Sequence, residues 1–399
     1  MTATQSEGRR ADIPASLVYD YNIYWDERLS PDPHKFWLQM RAEAPDVFWT
    51  DLNGGHWVAI GADAITKILR TPAVFSNSMQ LIPKQANMPR MIPESLDPPE
   101  HLLYRRLLMT YFEPKALEYL REKAVEMADA LIADFRDKGE VDFVKELARP
   151  MPVKVFMGLA GMPLDRYDEF IEIIDAFFAE RTPDTSAAII RVMNEVIESK
   201  RIHDDGSVMA RLVRADFEGR KLDTEELQSI GYLLFMAGLD TVTNAMTFGV
   251  RHLALNPGDQ TELRNTPELI PRAMDELLRT YTFTAVPRLV TQDVELGGAQ
   301  LKADDMIMTM LPFVGRDATL NEDPDTVDFH RTKMNHFAFG SGGHTCLGRH
   351  LAKLELQAMY ERLLLQLPQF ELDTSKPVGP TRGGTVTEIP QLWLKWQTP

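Results

Sequence analysis

The residues best suited to chemistry lie in one glycine-rich stretch, residues 339–348, which reads Phe-Gly-Ser-Gly-Gly-His-Thr-Cys-Leu-Gly. It holds Cys346, the single cysteine of the 399-residue chain. Glycine tolerates positive φ and the close approach of other groups, so backbone N–H groups can converge on the residue that follows. A helical pattern begins at Leu347, and the positive end of a helix dipole favours a thiolate over a thiol. We therefore expect this loop to stabilise a sulfur anion.

Three roles compete for such a sulfur. A buried structural cysteine is the usual role of a lone cysteine, but it does not account for the density of glycine around this one. A nucleophilic thiol needs a general base, and His344 lies two residues away on the same tight loop, where it cannot easily face the sulfur. Zinc and iron–sulfur sites need about four ligands, whereas haem iron needs only one from the protein. Haem ligation is thus the metal-binding role that one cysteine can fill.

A second candidate site is formed by Asp240 and Thr241, in the middle of a helix predicted over residues 224–256. At 1.5 Å per residue this helix would span roughly 50 Å, about the width of the molecule, so it must run through the centre. Gly238, and a Thr241 hydroxyl able to bond to a carbonyl one turn back, are expected to loosen it locally. An exposed polar pair is the alternative, but the apolar run before Asp240 argues against exposure.

Two further pairs of charged residues have helical spacing. His101 and Arg105 are four positions apart, and Glu276 and Arg279 are three apart. Both spacings place the two members on one face of a helix. By residue type alone, the first pair is most simply a solvated polar face, and the second is a surface ion pair worth under about 1 kcal/mol.

The elements around these residues predict a mainly α protein with small β-sheets (α+β). Hydrophobic periodicity and the positions of proline and glycine predict helices over 34–44, 62–69, from 100 onward, in several pieces between 114 and 203, over 224–256 and over 347–367. Strands are predicted over 56–61, 285–292, 294–301 and 306–311, with a turn at Gly297-Gly298. Asp223 and Glu226 predict a capping box at the start of the long helix. No linker or repeat divides the chain, so we expect a single domain over residues 1–399.

Composition narrows the function classes. The chain has a formal net charge of −16, which argues against binding nucleic acid through a broad basic face. One cysteine cannot form an intrachain disulfide, as expected in a reducing compartment. Residues 1–13 are polar and contain no apolar segment, so we expect neither a signal peptide nor a membrane anchor. These features predict a soluble, cytoplasmic protein.

Three motifs, in this order along the chain, resemble those of the cytochrome P450 family, the haem-thiolate monooxygenases. They are Ala237-Gly238-Leu239-Asp240-Thr241, Glu276-Leu277-Leu278-Arg279 and residues 339–348. The last fills every defining position of the family pattern Phe-Gly-x-Gly-x-His-x-Cys-x-Gly. Further stretches, such as residues 97–100 and 156–161, are similar to the soluble bacterial branch that hydroxylates camphor. The resemblance implies the cytochrome P450 fold, with a long central helix over the haem and the cysteine loop beneath it.

The resemblance also implies roles for individual residues. The cofactor would be haem b, with Cys346 as the ligand to iron. Asp240 and Thr241 would deliver protons to dioxygen, and Glu276, Arg279 and Arg331 would stabilise the fold. The residues implied to bind haem are His101, Arg105, Arg288, Phe339, Gly340, His344 and Cys346.

The expected substrate is a small hydrophobic molecule, terpenoid or norisoprenoid-like. The camphor-hydroxylating branch has a tyrosine in the loop corresponding to residues 76–98, where this chain has none, and Val286 replaces an aspartate of that branch. Camphor itself is therefore not expected. The apolar residues predicted to line the pocket are Met88, Met91, Leu233, Met236, Ala237, Val286 and Val386. Alternative functions are a peroxygenase of the same fold that uses hydrogen peroxide, and a non-enzymatic haem-binding sensor or carrier.

The two electrons that the reaction needs must come from another protein, because the chain contains no sequence motif for binding flavin or nicotinamide. The resemblance implies that they pass from NAD(P)H through a ferredoxin reductase to a small acidic [2Fe-2S] ferredoxin. The residues that would form a basic patch for it at the cysteine face are Arg105, Arg106, Lys333 and Arg349. An ordinary solvated surface is the alternative for each of them.

Overall fold

The protein is described from a computed structural model that covers residues 10, 12–85, 88–179, 182–238 and 240–398. The described residues are mainly helical with small β-sheets, as the sequence predicts. The helices are α1 Pro33–Glu43, α2 Ala62–Arg70, α3 Glu100–Phe112, α4 Pro114–Leu117, α5 Leu120–Ala133, α6 Pro150–Ala160, α7 Tyr167–Ala179, α8 Pro183–Ile202, α9 Val208–Arg214, α10 Thr224–Ala237, α11 Thr241–Leu255, α12 Pro257–Asn265, α13 Ile270–Thr280, α14 Pro312–Gly315 and α15 Arg349–Gln366. The strands are β1 Val47–Thr50, β2 His56–Ala59, β3 Phe75–Ser76, β4 Glu140–Asp142, β5 Ala285–Val290, β6 Val294–Leu296, β7 Ala299–Leu301, β8 Met306–Met310, β9 Phe370–Leu372 and β10 Trp393–Trp396.

The predicted central helix consists of two helices, α10 and α11. The predicted capping box at its start is confirmed, because the Glu226 N–H donates to the Asp223 carboxylate at 2.8 Å and the Asp223 N–H donates to Glu226 at 2.7 Å. The prediction of one uninterrupted helix is wrong, since α10 ends at Ala237 and α11 begins at Thr241. The physical reason is the one expected at this point: the Thr241 hydroxyl donates to the Ala237 carbonyl at 3.1 Å. Leu239 lies outside the described residues.

The largest sheet has the strand order β1-β2-β8-β5-β3. β2 and β8 run parallel, and the other neighbours are antiparallel. On β5, Val286 and Arg288 are two positions apart, so both side chains leave the same face of the strand. The predicted turn at Gly297 and Gly298 is confirmed between β6 and β7, where φ is +56° and +81°.

Two hydrophobic cores support these elements, one among the helices and one beneath the largest sheet. A third, smaller cluster lies at the end of α13 and along α11, and its members are Phe248, Phe283 and Ile389 with Ala245, Tyr281 and Val386 packed against them. The stretch Thr224–Leu255 is long and apolar enough to cross a membrane by length and composition alone. However, 59% of its most apolar window is buried inside the protein, as in the central helix of a globular core.

Candidate active site

The cysteine loop is held by backbone geometry that requires glycine. Gly340 and Gly342 have φ values of +70° and +75°. A Cβ atom at Gly342 would lie 2.7 Å from the Leu69 carbonyl oxygen, so the loop sits directly on the end of α2. The Cys346 N–H donates to the Phe339 carbonyl at 2.7 Å and closes the loop. The helix that follows begins at Arg349, two residues later than predicted, which leaves Cys346 just ahead of its first turn.

Beside the loop, α3 and β5 bring together a cluster of cations and imidazoles. His101 is fully buried, and its ring lies 3.9 Å from that of His344 between centroids, at 30°. The ring nitrogens of both histidines lack hydrogen-bond partners among the described residues. Arg105 donates to the Thr345 carbonyl of the loop, and the buried Arg288 donates to the Pro287 carbonyl at 2.7 Å. Four residues that the sequence singled out separately therefore meet at one place.

The middle of the central helix presents an open face. Between residues 229 and 250 most described side chains are buried, and those that retain accessible surface recur three or four positions apart, which places them on one side of the helix. They are Leu233, Met236, Ala237, Asp240, Thr241 and Ala245. Such a face is available to a bound molecule, and it is apolar apart from the Asp240-Thr241 pair.

The residues predicted to line the pocket belong to all three hydrophobic clusters. Met88, Met91 and Met236 pack against the helical core, and Val286 packs against the core beneath the sheet. Val386 belongs to the third cluster, and a bridge between Val386 and Thr284 joins it to the residues before β5. Leu233 and Ala237 lie on the open face of α10. All seven of these apolar residues retain some accessible surface.

Comparison with known proteins assigns this arrangement to a family. The sequence profile of the family described as Cytochrome P450 matches residues 142–392, more than half of the chain. The chain belongs to the cytochrome P450 family. It is similar to a probable cytochrome P450 127A1 of Sinorhizobium fredii, with 29% identity over 399 residues and 96% of each chain covered. It is also similar to the steroid C26-monooxygenase of Mycobacterium tuberculosis, with 31% identity, covering 93% of this chain and 94% of the relative.

Solved P450 structures share the fold over nearly the whole chain. The crystal structure of CYP101J2 matches with a TM-score of 0.91 at 32% identity, covering 98% of this chain and 99% of that one. The crystal structure of CYP101C1 also gives 0.91, at 27% identity, covering 98% and 100%. These matches confirm the predicted cytochrome P450 fold, and the protein is a P450 monooxygenase that uses haem iron.

The residues of the candidate site fit haem. Neither Arg105 nor Arg288 forms an ion pair with a carboxylate among the described residues, and burial lowers the pKa of both. Burial also lowers the pKa of His101 to about 4, so its imidazole is neutral at pH 7. Buried cations without an anion are unfavourable, and the two propionates of haem are anions of the right kind.

The surroundings of the P450 cysteine act on its thiol in opposite directions. The loop was expected to favour the thiolate, whereas burial raises the pKa of the Cys346 thiol. The Gly348 N–H, Arg105 and Arg349 act in the opposite direction without overcoming burial. A coordinated metal cation deprotonates a thiol outright, so in this P450 the thiolate depends on iron.

Glu276, Arg279 and Arg331 form one buried network. Glu276 and Arg279 are completely buried, with Arg279 Nε 2.7 Å from Glu276 Oε2. Arg331 Nε lies 3.0 Å from Glu276 Oε1, and the Asp328 N–H donates to the same oxygen at 3.0 Å. Arg279 also donates to the Thr326 carbonyl at 3.0 Å. The network joins α13 to the segment that leads into the cysteine loop.

Two charged residues near the site were not singled out from the sequence. Glu94 lies 3.9 Å from Nδ1 of His344, and its charge acts on both His101 and Arg288. Arg149 forms an ion pair with Asp175. Burial lowers the pKa of Arg149, but the negative charges of Asp175 and Asp240 outweigh burial, so the pKa is raised. Neither residue belongs to a motif, because only the fold brings it near the site.

Gly238 marks the closest approach of another helix to the open face. A Cβ atom at this position would lie 2.7 Å from Cδ2 of Phe156, on α6, and 3.1 Å from the Leu234 carbonyl oxygen. The backbone φ of Gly238 is −83°, which any residue can adopt. Glycine is therefore required here by contact with Phe156 and not by backbone conformation.

Proposed function

We propose that this P450 is a ferredoxin-dependent monooxygenase, formed by a single domain over residues 1–399, that hydroxylates a compact hydrophobic molecule of terpenoid type. The observation that carries the proposal is the open face of α10 and α11. On this face apolar side chains adjoin Asp240 and Thr241 along the helix. Such a surface would hold a hydrophobic molecule close and dry, while the acid and alcohol would supply protons at its edge.

Haem would be held from several sides at once. Cys346 would ligate iron, while His101, Arg105 and Arg288 would neutralise and orient the propionates. The remaining contacts would come from Phe339, Gly340 and His344 of the cysteine loop. Thiolate-ligated haem supplies the activation of dioxygen for insertion into a C–H bond. The chain itself binds and orients the substrate, excludes water and moves protons.

The substrate class can be tested with the haem spectrum. Adding terpenoid ketones and alcohols to the haem-loaded protein should displace water near the iron and shift the Soret band. Steroids serve as the comparison series, because a relative of this chain is a steroid C26-monooxygenase. A spectral response to steroids with none to compact terpenoids would replace the proposed substrate class.

Proton delivery by Asp240 is tested by substitution with asparagine. Because general acid–base groups contribute about 10²–10⁴-fold, Asp240→Asn is expected to lower product formation by roughly 100-fold or more. Dioxygen binding, followed by rapid-mixing absorption, should remain close to that of the wild type. Asp223→Asn is the matched control, because asparagine caps a helix as well as aspartate does and this residue lies on the same central helix. Equal turnover in both variants would remove Asp240 from the proton route.

The acid–alcohol pair also favours dioxygen over peroxide as the oxidant. A peroxygenase receives its oxygen already reduced and protonated, so it needs no such pair. Likewise, a haem-binding sensor or carrier has no use for a proton route beside an apolar pocket. The observed pairing of these two features therefore supports a monooxygenase.

Docking of an acidic ferredoxin is supported by four cations on α3, at the start of α15 and in the segment before the cysteine loop. None of Arg105, Arg106, Lys333 and Arg349 forms an ion pair with a carboxylate among the described residues, although acidic residues outnumber basic ones in the chain. Arg106 and Lys333 are exposed, and Arg349 is half-buried at the start of α15. With Arg105 holding a propionate, Arg106, Lys333 and Arg349 remain to steer an acidic partner. We also propose a soluble, cytoplasmic location, supported by the burial of the apolar central helix.

A further inference from the structure

A row of three hydrogen-bonded side chains, Tyr281, His252 and Asp259, lies outside the site described above. The Tyr281 phenol oxygen is 2.8 Å from His252 Nδ1, and His252 Nε2 is 2.6 Å from Asp259 Oδ2. His252 is buried in the last turn of α11, Tyr281 is half-buried just after α13, and Asp259 lies in the first turn of α12. No motif marks this row, because Tyr281 is 29 positions from His252.

The donors and acceptors of the row fix where its protons lie. An ionised carboxylate only accepts hydrogen bonds, so Nε2 of His252 carries the hydrogen that Asp259 accepts. Burial lowers the pKa of His252, and the attraction of Asp259 does not reverse the shift, so the imidazole is neutral at pH 7. Nδ1 is therefore an acceptor, and the Tyr281 phenol donates to it. The phenol thus has a base in direct contact with its hydroxyl.

We propose that Tyr281 is a redox-active tyrosine, which loses one electron when oxidising equivalents from dioxygen or a hydroperoxide are not consumed by a substrate. The electron reduces the oxidant derived from dioxygen or the hydroperoxide by one equivalent, while the phenol O–H bond breaks, the proton passes to His252 and an N–H bond forms at Nδ1. The products are a neutral phenoxyl radical and an imidazolium paired with Asp259. One electron from the external donor of the P450, with return of the proton, restores the phenol.

The charges around the ring make this coupled route the favourable one. The Arg316 guanidinium carbon lies 5.7 Å from the centroid of the Tyr281 ring. A positive charge at this distance disfavours a phenol radical cation, so loss of the electron requires loss of the proton. Arg251 and Asp32, which also act on Tyr281, form an ion pair at 3.1 Å and largely offset each other, and the remaining charge is the Asp259 carboxylate of the row itself. Nδ1 of His252 accepts this proton.

Tyr281 is connected to the open face of the central helix by packed side chains. It packs against the cluster that contains Phe248 and Ala245. These residues follow Thr241 by seven and four positions on α11, which places them about 10 and 6 Å along the helix from it. The His34 ring lies 4.9 Å from Phe248 and 5.2 Å from Tyr281 between centroids. Aromatic contacts thus run from Phe248, about two turns beyond Thr241 on α11, through His34 to the tyrosine.

The test uses the substrate-free, haem-loaded protein mixed with a peracid and frozen within milliseconds. Electron paramagnetic resonance should show a tyrosyl radical, identified by narrowing of its spectrum when the protein contains ring-deuterated tyrosine. Tyr281→Phe should lose this signal. Tyr360→Phe is the matched control and should retain it, because Tyr360 is a buried tyrosine whose phenol pKa is raised by burial without an imidazole in contact. The carbon monoxide spectrum of each variant verifies that haem is bound normally.

A second variant keeps the tyrosine and weakens only the base. Asp259→Asn removes the anion that stabilises the imidazolium, so the radical yield should fall between those of the wild type and Tyr281→Phe. Because Asp259 is one-third exposed, this change is compatible with folding even where Tyr281→Phe is not. If the wild-type protein binds haem normally but forms no tyrosyl radical, the proposal is overturned. It is also overturned if Tyr281→Phe or Asp259→Asn leaves the yield of the radical unchanged. None of these outcomes bears on the proposed substrate or ferredoxin.

Discussion

Replacing Cys346 by serine is expected to remove the red-shifted Soret band of the reduced carbon monoxide complex. Turnover should fall by more than about 100-fold. Even a residue that only hydrogen-bonds to a metal ligand lowers activity by about 10–100-fold when it is mutated, and Cys346 is the ligand itself. Serine keeps the size of the side chain but presents a hydroxyl in place of the sulfur that donates electron density to iron. The measurement is the difference spectrum of the purified protein, followed by product formation with an electron-donor system.

Ser341→Ala is the control for this variant. Ser341 lies in the same loop, and its hydroxyl oxygen receives a long contact of 3.5 Å from Arg70. We expect this change to leave the Soret band in place. A red-shifted band in Cys346→Ser would mean that another group ligates the iron. A wild-type protein without any haem band would return Cys346 to the class of reactive thiols.

Replacing Glu276 by glutamine is expected to lower the free energy of unfolding by about 3–5 kcal/mol, the cost of breaking a buried ion pair from one side. The amide has nearly the same shape as the carboxylate, so the effect comes from charge. Arg279, which is completely buried, and Arg331 would both lose their shared anion. Urea unfolding of the haem-loaded protein measures the change, with the slope on denaturant expected to stay the same.

Asp293→Asn provides the comparison for that experiment. Asp293 is paired with Lys302 at 2.9 Å, and both side chains are more than half exposed. An exposed pair of this kind is worth about 0–1 kcal/mol, so this variant should unfold almost like the wild type. If Glu276→Gln cost no more than Asp293→Asn, the network would have no structural role and the helix α13 would be held by apolar packing alone.

Features that depend on residues close together in the sequence were predicted correctly. Asp223 and Glu226 cap the central helix as expected, and the Thr241 hydroxyl bonds back to Ala237 where a loosened helix was predicted. These features depend on residues within one turn of each other, which the sequence displays directly. The motifs carried the family assignment for the same reason, since each is a short run with fixed spacing.

Contacts between distant residues were beyond such reasoning. Glu94 reaches His344, which lies 250 positions later in the chain, and Arg149 comes within electrostatic range of Asp240. The pKa of Cys346 is the clearest case. The donors near the sulfur were predicted correctly from the loop, but the burial that outweighs them is a property of the whole fold. The sequence therefore identified the reactive groups, but it did not reveal how burial and neighbouring charges together set their pKa values.

The contact between Gly238 and Phe156 has a practical consequence for altering the specificity of this enzyme. A library that randomises the open face should leave Gly238 fixed, because a larger residue there must displace the Phe156 ring of α6. Leu233 and Met236 are better positions for variation, since their side chains retain accessible surface. Tolerance to substitution along this face should therefore be lower at Gly238 than at these two positions.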